Sequence, residues 1–429
     1  MSLPSKHPIG VLALLTLLNI LNFADRFLMQ GFAVDLTADL HLSSLQFTLL
    51  TGFIFTTFYT FVGLFMGALA DRVHRPRLMA AGIVVWSALT AATGVVGNFV
   101  QLGLARLFIG VGEATLTPAA LGLLGDTYPA RRRAFAAGVY YLGAPIGIGG
   151  AFIIAGTLGS VLGWRNCFLA LGVLGLLPAL LLLLLREPRT ARARDARAAR
   201  RPIPGVLKEV RQCLAGSPAL RLVMASGILV VFAQGALVLD QLWLVQERGL
   251  AKQQAQNLAG LMFLAGGVLG SVLGGWGADL MQARRVGGRL RFLAGVYLVG
   301  IPAGLAYRFV DPSGAAFHLY MFIGSVMVTI GYGPLFACLQ DLVPDHVRST
   351  MTAAMILGMT LFGTSAGNLL VGWLADTFRA GGIDEPITKA VLASTLPWIL
   401  AIPCLLQAAQ LVESGTPHEE RPAKPALRA

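Results

Sequence analysis

Long runs of apolar residues, separated by short polar stretches, follow one another along the whole chain. Each run is close to the ~20 residues that a helix needs to cross the hydrocarbon core of a bilayer. The runs are continuous and rich in Leu, Ala and Gly, whereas the strands of a membrane barrel would alternate apolar and polar positions. We therefore predict an all-α protein with twelve membrane segments, with bounds near 8–35, 43–70, 77–97, 99–124, 133–158, 162–185, 218–246, 256–280, 288–309, 315–341, 350–378 and 388–412.

The composition also indicates an integral membrane protein. Of the 429 residues, 56% are hydrophobic and 13% are charged, which leaves too little polar surface for a water-soluble globule. The four cysteines have no metal-ligand spacing, and the sequence contains no Walker lysine, no His pair at ligand spacing and no nucleophile motif. We expect no metal, no cofactor and no enzymatic activity.

The net charge of +12 does not indicate a nucleic-acid partner, because the basic residues are concentrated in alternate loops. Most of the 33 Lys and Arg lie in loops on the same side of the membrane as the amino terminus. This asymmetry is the pattern of cytoplasmic loops. We predict a multi-pass protein of a bacterial inner membrane with both termini in the cytoplasm.

Two motifs occur twice, about half of the chain apart, and they predict an internal duplication. The Gly-x-x-x-Asp motif that begins at Gly67 recurs at Gly275, and the Asp-x-x-Pro-x-x-x-Arg motif that begins at Asp126 recurs at Asp341. Each copy stands at the end of a predicted segment. The pattern is typical of transporters built from two parallel repeats.

The halves are separated by a stretch rich in Arg, Ala and Pro that cannot cross lipid. We predict three parts: a six-helix bundle over 1–185, a basic cytoplasmic linker over 186–217, and a second six-helix bundle with a cytoplasmic tail over 218–429. The linker is interpreted either as partly a helix on anionic headgroups or as a charged topology anchor.

Charged and amide side chains lie deep within two of the predicted segments. Asn22, Asp25 and Arg26 belong to the first segment, and Arg106 and Glu113 belong to the fourth. A charge without a partner in hydrocarbon is costly, so such residues usually face a cavity or a partner helix and mark an ion or substrate path. Arg106 and Glu113 share a helix face but lie ~10 Å apart along the axis, so each needs another partner. By depth, Asp25 with Arg106 and Arg26 with Glu113 are both possible pairs.

We interpret these five residues as a proton-coupling and substrate-binding site. A substrate head group that occupies an arginine would release a carboxylate to take up a proton, which would link the two events. The alternative is a structural quartet of charges that joins two helices.

The second half offers a less polar set of cavity residues. If the tenth segment is aligned on the fourth through the repeated Asp, Glu113 corresponds to Val328. A charged wall and an apolar wall suit a ligand with a polar head and an apolar tail. For the glutamines among the possible cavity residues, hydrogen bonds between helices are the alternative role. The possible cavity residues are Gln234, Gln241, Tyr332 and Phe336.

Several of these motifs together resemble one transporter family. The stretch GALADRVHRPRL at 67–78 is similar to the Gly-x-x-x-Asp-Arg signature of the major facilitator superfamily. The motifs NFADR at 22–26, Arg106-x6-Glu113 and YPARRRA at 128–134 resemble the Spinster branch of that superfamily. The resemblance is detailed over 15–170 and general beyond.

The resemblance implies a secondary transporter with the major facilitator fold that works by alternating access. Gly67, Asp71 and Arg72 would form a cytoplasmic latch between the bundles. Spinster transporters move lysophospholipids or sphingosine-1-phosphate-like amphiphiles, and proton coupling has been proposed for them. We expect a monomer whose partners are a small amphiphilic substrate, protons and the lipid bilayer. A proton-coupled symporter of small organic acids and a drug/proton antiporter stay open, as do the more distant classes of channel, sensor and membrane enzyme.

Overall fold

A computed structural model of the chain describes residues 8–185, 203–344 and 347–415. Every regular element in these ranges is a helix. The predicted latch of Gly67, Asp71 and Arg72 is not tested, because the surroundings of these residues lie outside what the structure describes. The first part of the predicted linker and the tail beyond 415 also lie outside them.

The first half contains six membrane segments, and the helices that form them have the following bounds. They are Pro8–Gly31 for the first; Ser44–Thr48, the π-helix Leu49–Ile54 and Phe55–Arg72 for the second; Arg75–Thr93 for the third; Phe99–Glu113 and Leu116–Thr127 for the fourth; and Ala130–Tyr141 and Gly143–Leu183 for the fifth and sixth. A short helix, Ala33–Asp39, follows the first segment.

The second half repeats this organisation after an amphipathic helix, Ile203–Gly216. The bounds are Pro218–Gly235, the 3₁₀ turn Ala236–Leu239 and Asp240–Gln246 for the seventh segment; Lys252–Arg284 for the eighth; Gly288–Leu305 and Ala306–Phe309 for the ninth; Ala315–Thr329 and Tyr332–Asp341 for the tenth; Arg348–Gly358, the π-helix Met359–Ser365 and Ala366–Ala380 for the eleventh; and Pro386–Thr395 and Trp398–Gly415 for the twelfth.

Within the described residues, 11 stretches of helix are long and apolar enough to cross a membrane. One of them, Phe135–Leu183, is 49 residues long, about twice what a single span requires. It contains Gly163 at φ 75°, a backbone conformation that interrupts the helix and that glycine adopts without strain. The fifth and sixth segments meet at this point, which gives the predicted twelve.

The described helices pack into two compact units. Unit 1 contains residues 8–185 together with Val238–Leu264 and Ala375–Ala380, and unit 2 contains the other described residues. In unit 1, the Lys252 ammonium lies 2.6 Å from Asp35. The Asp376 carboxylate accepts hydrogen bonds from the backbone N–H groups at the start of the second segment, where it also neutralises the positive end of the helix dipole. Helical ends from the second half of the sequence are thereby tied into unit 1.

Each half has an equivalent ion pair, as expected from the duplication. In unit 1, Arg75 at the start of the third segment lies 2.5 Å from Asp126 at the end of the fourth. In unit 2, Arg289 at the start of the ninth segment lies 2.6 Å from Asp341 at the end of the tenth and 2.7 Å from Asp279. Asp126 and Asp341 therefore occupy equivalent places in the two copies.

The helix Ile203–Gly216 covers the later part of the predicted linker. Its residues Val210, Cys213 and Leu214 pack against the hydrophobic core of unit 2, which includes Leu293 and Met355. At least this part of the linker is helical and rests on protein.

Close packing of the third and fourth segments depends on glycine. A Cβ atom at Gly112 would lie 2.7 Å from the carbonyl oxygen of Gly82 and 2.9 Å from the Cβ of Trp86. Because backbone atoms cannot move aside cheaply, we expect Gly112→Ala to destabilise the protein by about 1–3 kcal/mol. Gly150→Ala is the matched control, since nothing lies within 4 Å of a Cβ there. Thermal unfolding of both variants in detergent checks this expectation. Equal melting temperatures for Gly112→Ala and Gly150→Ala would show that close packing does not require glycine at position 112.

Candidate functional site

The first and fourth segments are joined by a partly buried ion pair within unit 1. The Nη2 atom of Arg26 lies 2.7 Å from Oε2 of Glu113, and Nε of the same guanidinium donates to that oxygen at 3.3 Å. The Glu113 side chain is fully buried. Its position follows from the helix break after Phe99–Glu113, which places the carboxylate where the fourth segment is interrupted. Of the two pairs that depth allowed, Arg26 with Glu113 is formed.

Asp25 has a different partner. The hydroxyl of Thr90, on the third segment, donates to Oδ1 of Asp25 at 2.6 Å. The second carboxylate oxygen, Oδ2, is buried and has no hydrogen-bond partner among the described residues. The alternative pair of Asp25 with Arg106 is not formed.

Arg106 is 1% exposed and contacts an aromatic ring. Its Cζ lies 4.8 Å from the centroid of the Phe55 ring. Its Nε and Nη2 atoms have no hydrogen-bond partner in the described part of the chain, and no carboxylate oxygen there lies within 4.0 Å. Arg106 therefore forms no ion pair with the first segment in the described part of the chain, although depth allowed one with Asp25.

The two asparagines of the first segment differ, because the amide nitrogen of one has a hydrogen-bond partner in the described chain and that of the other does not. Asn19 donates from Nδ2 to the backbone carbonyl of Tyr140 at 2.8 Å, which ties the first segment to the fifth. Asn22 is 3% exposed, and its Nδ2 has no partner among the described residues.

These side chains together form a charged cluster that is largely buried and in which several polar atoms lack a hydrogen-bond partner among the described residues. The cluster consists of Asn22, Asp25, Arg26, Arg106 and Glu113. Buried polar atoms almost always have a hydrogen-bond partner, so several unpartnered atoms at one place indicate room for water or a ligand. Here they comprise both donors and acceptors. They are Nε and Nη2 of Arg106, Nδ2 of Asn22, Oδ2 of Asp25 and Oε1 of Glu113.

In unit 2 the structure brings together two of the four possible cavity residues. The hydroxyl of Tyr332 donates to Oε1 of Gln234 at 3.3 Å, and Nε2 of Gln234 donates to the carbonyl of Val328 at 3.1 Å. Both side chains line a small pocket that also includes Tyr297. Phe336 packs at the edge of the hydrophobic core of this unit.

Gln241 lies apart from these residues. The seventh segment is interrupted by the 3₁₀ turn Ala236–Leu239, and Gln241 follows it, in unit 1. Its Nε2 donates to the carbonyl of Ala255 on the eighth segment at 3.5 Å. Gln234 and Gln241 therefore each bond a neighbouring helix, which is the alternative role that the sequence left open.

The sequence did not single out three residues of the cluster. Thr90 is one of three hydroxyl residues in the Ala-rich third segment, and Phe55 and Tyr59 are two of several aromatic residues in the second segment. The rings of Phe55 and Tyr59 lie within 5 Å of the Arg26 guanidinium carbon. Their spacing of four residues puts both rings on one helix face, but only the packing shows that this face meets the arginines.

Apolar helices around a buried charged cluster are typical of membrane transporters. The chain belongs to the Major Facilitator Superfamily, whose sequence profile matches residues 15–367. It is 28% identical over 385 residues to an MFS-type efflux pump of Mycolicibacterium smegmatis, covering 90% of this chain and 87% of the pump. It is 27% identical over 403 residues to protein spinster homolog 1 of Xenopus tropicalis, covering 88% of this chain and 74% of that protein.

A solved structure has the same fold. The crystal structure of a bacterial homolog of the human lysosomal transporter Spinster, in an inward-facing and unoccupied conformation, superimposes with a TM-score of 0.82. It covers 95% of this chain and 98% of that protein at 23% identity. The predicted twelve-helix fold and the resemblance to the Spinster branch are confirmed, and the protein is a transporter and not an enzyme.

Proposed function

We propose that the protein is a proton-coupled secondary transporter that works by alternating access and moves an amphiphile with an anionic head group and an apolar tail. The substrate class is lysolipid or sphingolipid-like. The observation that supports this proposal is Arg106, a buried guanidinium with open hydrogen-bond donors beside two carboxylates that each keep one open acceptor.

The two arginines of the cluster have different roles in this proposal. The guanidinium of Arg26 donates twice to Glu113, so part of its donor capacity is taken. The Nε and Nη2 donors of Arg106 are open, and a guanidinium binds a phosphate or carboxylate through two parallel N–H groups. Arg106 is therefore the group that receives the anionic head, and Asn22 supplies a further open donor.

Proton coupling follows from the charges that surround Arg106. An anion bound to Arg106 adds negative charge beside Asp25 and Glu113, which favours the protonated form of a neighbouring carboxyl group. Each of these carboxylates keeps one oxygen without a hydrogen-bond partner in the described chain, where a proton can be accepted. Binding of substrate and uptake of a proton would then occur together.

The apolar tail is assigned to the second half of the chain. Val328 occupies the place in the repeat that corresponds to Glu113, so this place carries no charge. Uncharged Tyr332 and Gln234 lie near it, since Gln234 bonds the carbonyl of Val328. Burying each methylene of a chain in such a site stabilises binding by about 0.8 kcal/mol.

The wider organisation is part of the same proposal. The bundles over 1–185 and 218–429 would rock about the substrate site, with Asp71 and Arg72 in the cytoplasmic latch. The distribution of Lys and Arg supports cytoplasmic termini in a bacterial inner membrane. We propose a monomer. A drug/proton antiporter is the second candidate, and similarity to the MFS-type efflux pump of Mycolicibacterium smegmatis supports it.

The test is transport by the purified protein in liposomes. Fluorescent lysophosphatidylglycerol is allowed to cross the bilayer and is extracted from the outer leaflet with albumin, with and without an imposed pH gradient. We expect the protein to accelerate the transfer at least several-fold, and the gradient to increase it further. Arg106→Ala should reduce it to the rate of empty liposomes. Transport of lactate or ethidium without transport of the lysolipid would favour the organic-acid or drug alternatives.

A further inference from the structure

Phe55 lies at the centre of the charged cluster, although it carries no charge and no polar atom in its side chain. The Cζ atoms of Arg26 and Arg106 each lie 4.8 Å from the centroid of its ring. The residue is 2% exposed and is the first residue of the helix Phe55–Arg72, directly after the π-helix Leu49–Ile54. The Phe55 ring therefore contacts two guanidinium groups, which come from the first and the fourth segment.

The ring and its surroundings are held in place by neighbouring elements. The Tyr59 ring is stacked at a centroid distance of 5.7 Å and an interplanar angle of 20°. The fourth segment approaches the Phe55 backbone at Gly110, where a Cβ atom would lie 3.1 Å from the Phe55 carbonyl oxygen. A π-helix adds a residue to the turn that precedes Phe55, and such turns frequently occur at functional sites. The position of the ring is thus determined by packing on several sides.

A ring interacts with a guanidinium differently from a carboxylate. A cation–π contact uses the flat face of the guanidinium, whereas its N–H groups lie in the plane and point outward. The ring can therefore stabilise the buried charge of Arg106 while Nε and Nη2 stay open. A carboxylate would occupy these donors, as Glu113 does for Arg26.

We infer that Phe55 is a positioning residue for the substrate anion: its ring holds the Arg106 guanidinium in place and leaves the in-plane donors available. This inference rests on the proposed function of Arg106. Preorganisation of this kind raises affinity, because the side chain does not lose further rotational freedom when the ligand binds.

The experiment varies the electrons of the ring at nearly constant shape. Phe55 is replaced by mono-, di- and trifluorophenylalanine in the full-length protein, and the dissociation constant of oleoyl lysophosphatidylglycerol is measured in detergent by native mass spectrometry. Fluorine withdraws electron density from the ring face, so we expect stepwise weaker binding, reaching about 3- to 30-fold in total. Phe55→Tyr should bind like the wild type. Trifluorophenylalanine at Phe58, which is 41% exposed, is the matched control and should have no effect.

The outcomes separate this inference from the proposed function. If Phe55→Leu weakens binding but the fluorinated rings do not, the ring contributes only volume and the inference is overturned, while the role of Arg106 stands. If Arg106→Ala binds the lysolipid as well as the wild type does, the proposed function itself is wrong. Stepwise weakening at Phe55 with no change at Phe58 supports both.

Discussion

Glu113→Gln and Asp25→Asn should each abolish the accumulation of lysolipid that a pH gradient drives, while counterflow of substrate continues. Counterflow exchanges one loaded carrier for another and needs no net proton movement, whereas accumulation requires a carboxyl group that binds and releases a proton. Both substitutions keep the size of the side chain and remove only its ability to ionise. Flux in liposomes, with and without an imposed gradient, measures the difference.

The matched control for these variants is Asp311→Asn. Asp311 lies in the loop after the ninth segment and accepts hydrogen bonds from Ser313, outside the charged cluster. We expect it to respond to the gradient as the wild type does. If Glu113→Gln and Asp25→Asn also keep the wild-type response, protons are not coupled through these carboxylates. The quartet of charges would then be structural.

Arg26→Leu should destabilise the protein by about 3–5 kcal/mol, because it leaves the Glu113 carboxylate buried without its ionic partner. Replacing both residues, as in Arg26→Leu with Glu113→Leu, should recover most of this loss, since no charge is then left unpaired. The free energy of unfolding of the two single variants and the double variant, measured by denaturant titration in detergent, gives the coupling between the two side chains.

An exposed ion pair supplies the comparison for these single and double variants. The guanidinium of Arg285 lies 3.2 Å from Glu413, and their side chains are 55% and 29% exposed. Surface pairs of this kind contribute about 1 kcal/mol or less, so Arg285→Leu should have a small effect. If the losses from Arg26→Leu and Glu113→Leu simply add in the double variant, the two side chains do not stabilise each other, and the ion pair does not join the segments energetically.

The sequence alone determined where the chain crosses the membrane. The predicted spans 218–246, 288–309 and 315–341 coincide with helical stretches of the structure. This succeeds because the requirement for a span is local: about 20 apolar residues must follow one another, whatever their neighbours are. The internal duplication could also be predicted from the sequence, because the repeated aspartate motifs are recognised without tertiary information.

The sequence also determined which side chains are exceptional. Charges such as Asp25, Arg106 and Glu113 are costly in hydrocarbon, and their depth follows from the helix rise alone. All three are buried in the structure, as expected for residues that face a protein interior. Depth, however, left two pairing schemes equally possible.

Only the tertiary structure decided the partners. It paired Arg26 with Glu113, gave Asp25 the hydroxyl of Thr90 and placed Phe55 against Arg106. These contacts depend on which helices are neighbours and on how each is rotated about its axis. Breaks such as the π-helix Leu49–Ile54 change that rotation, because an extra residue in a turn moves every later side chain around the axis. A pattern of hydrophobic positions fixes the depth of a residue in the membrane, but the packing of the helices fixes what it touches.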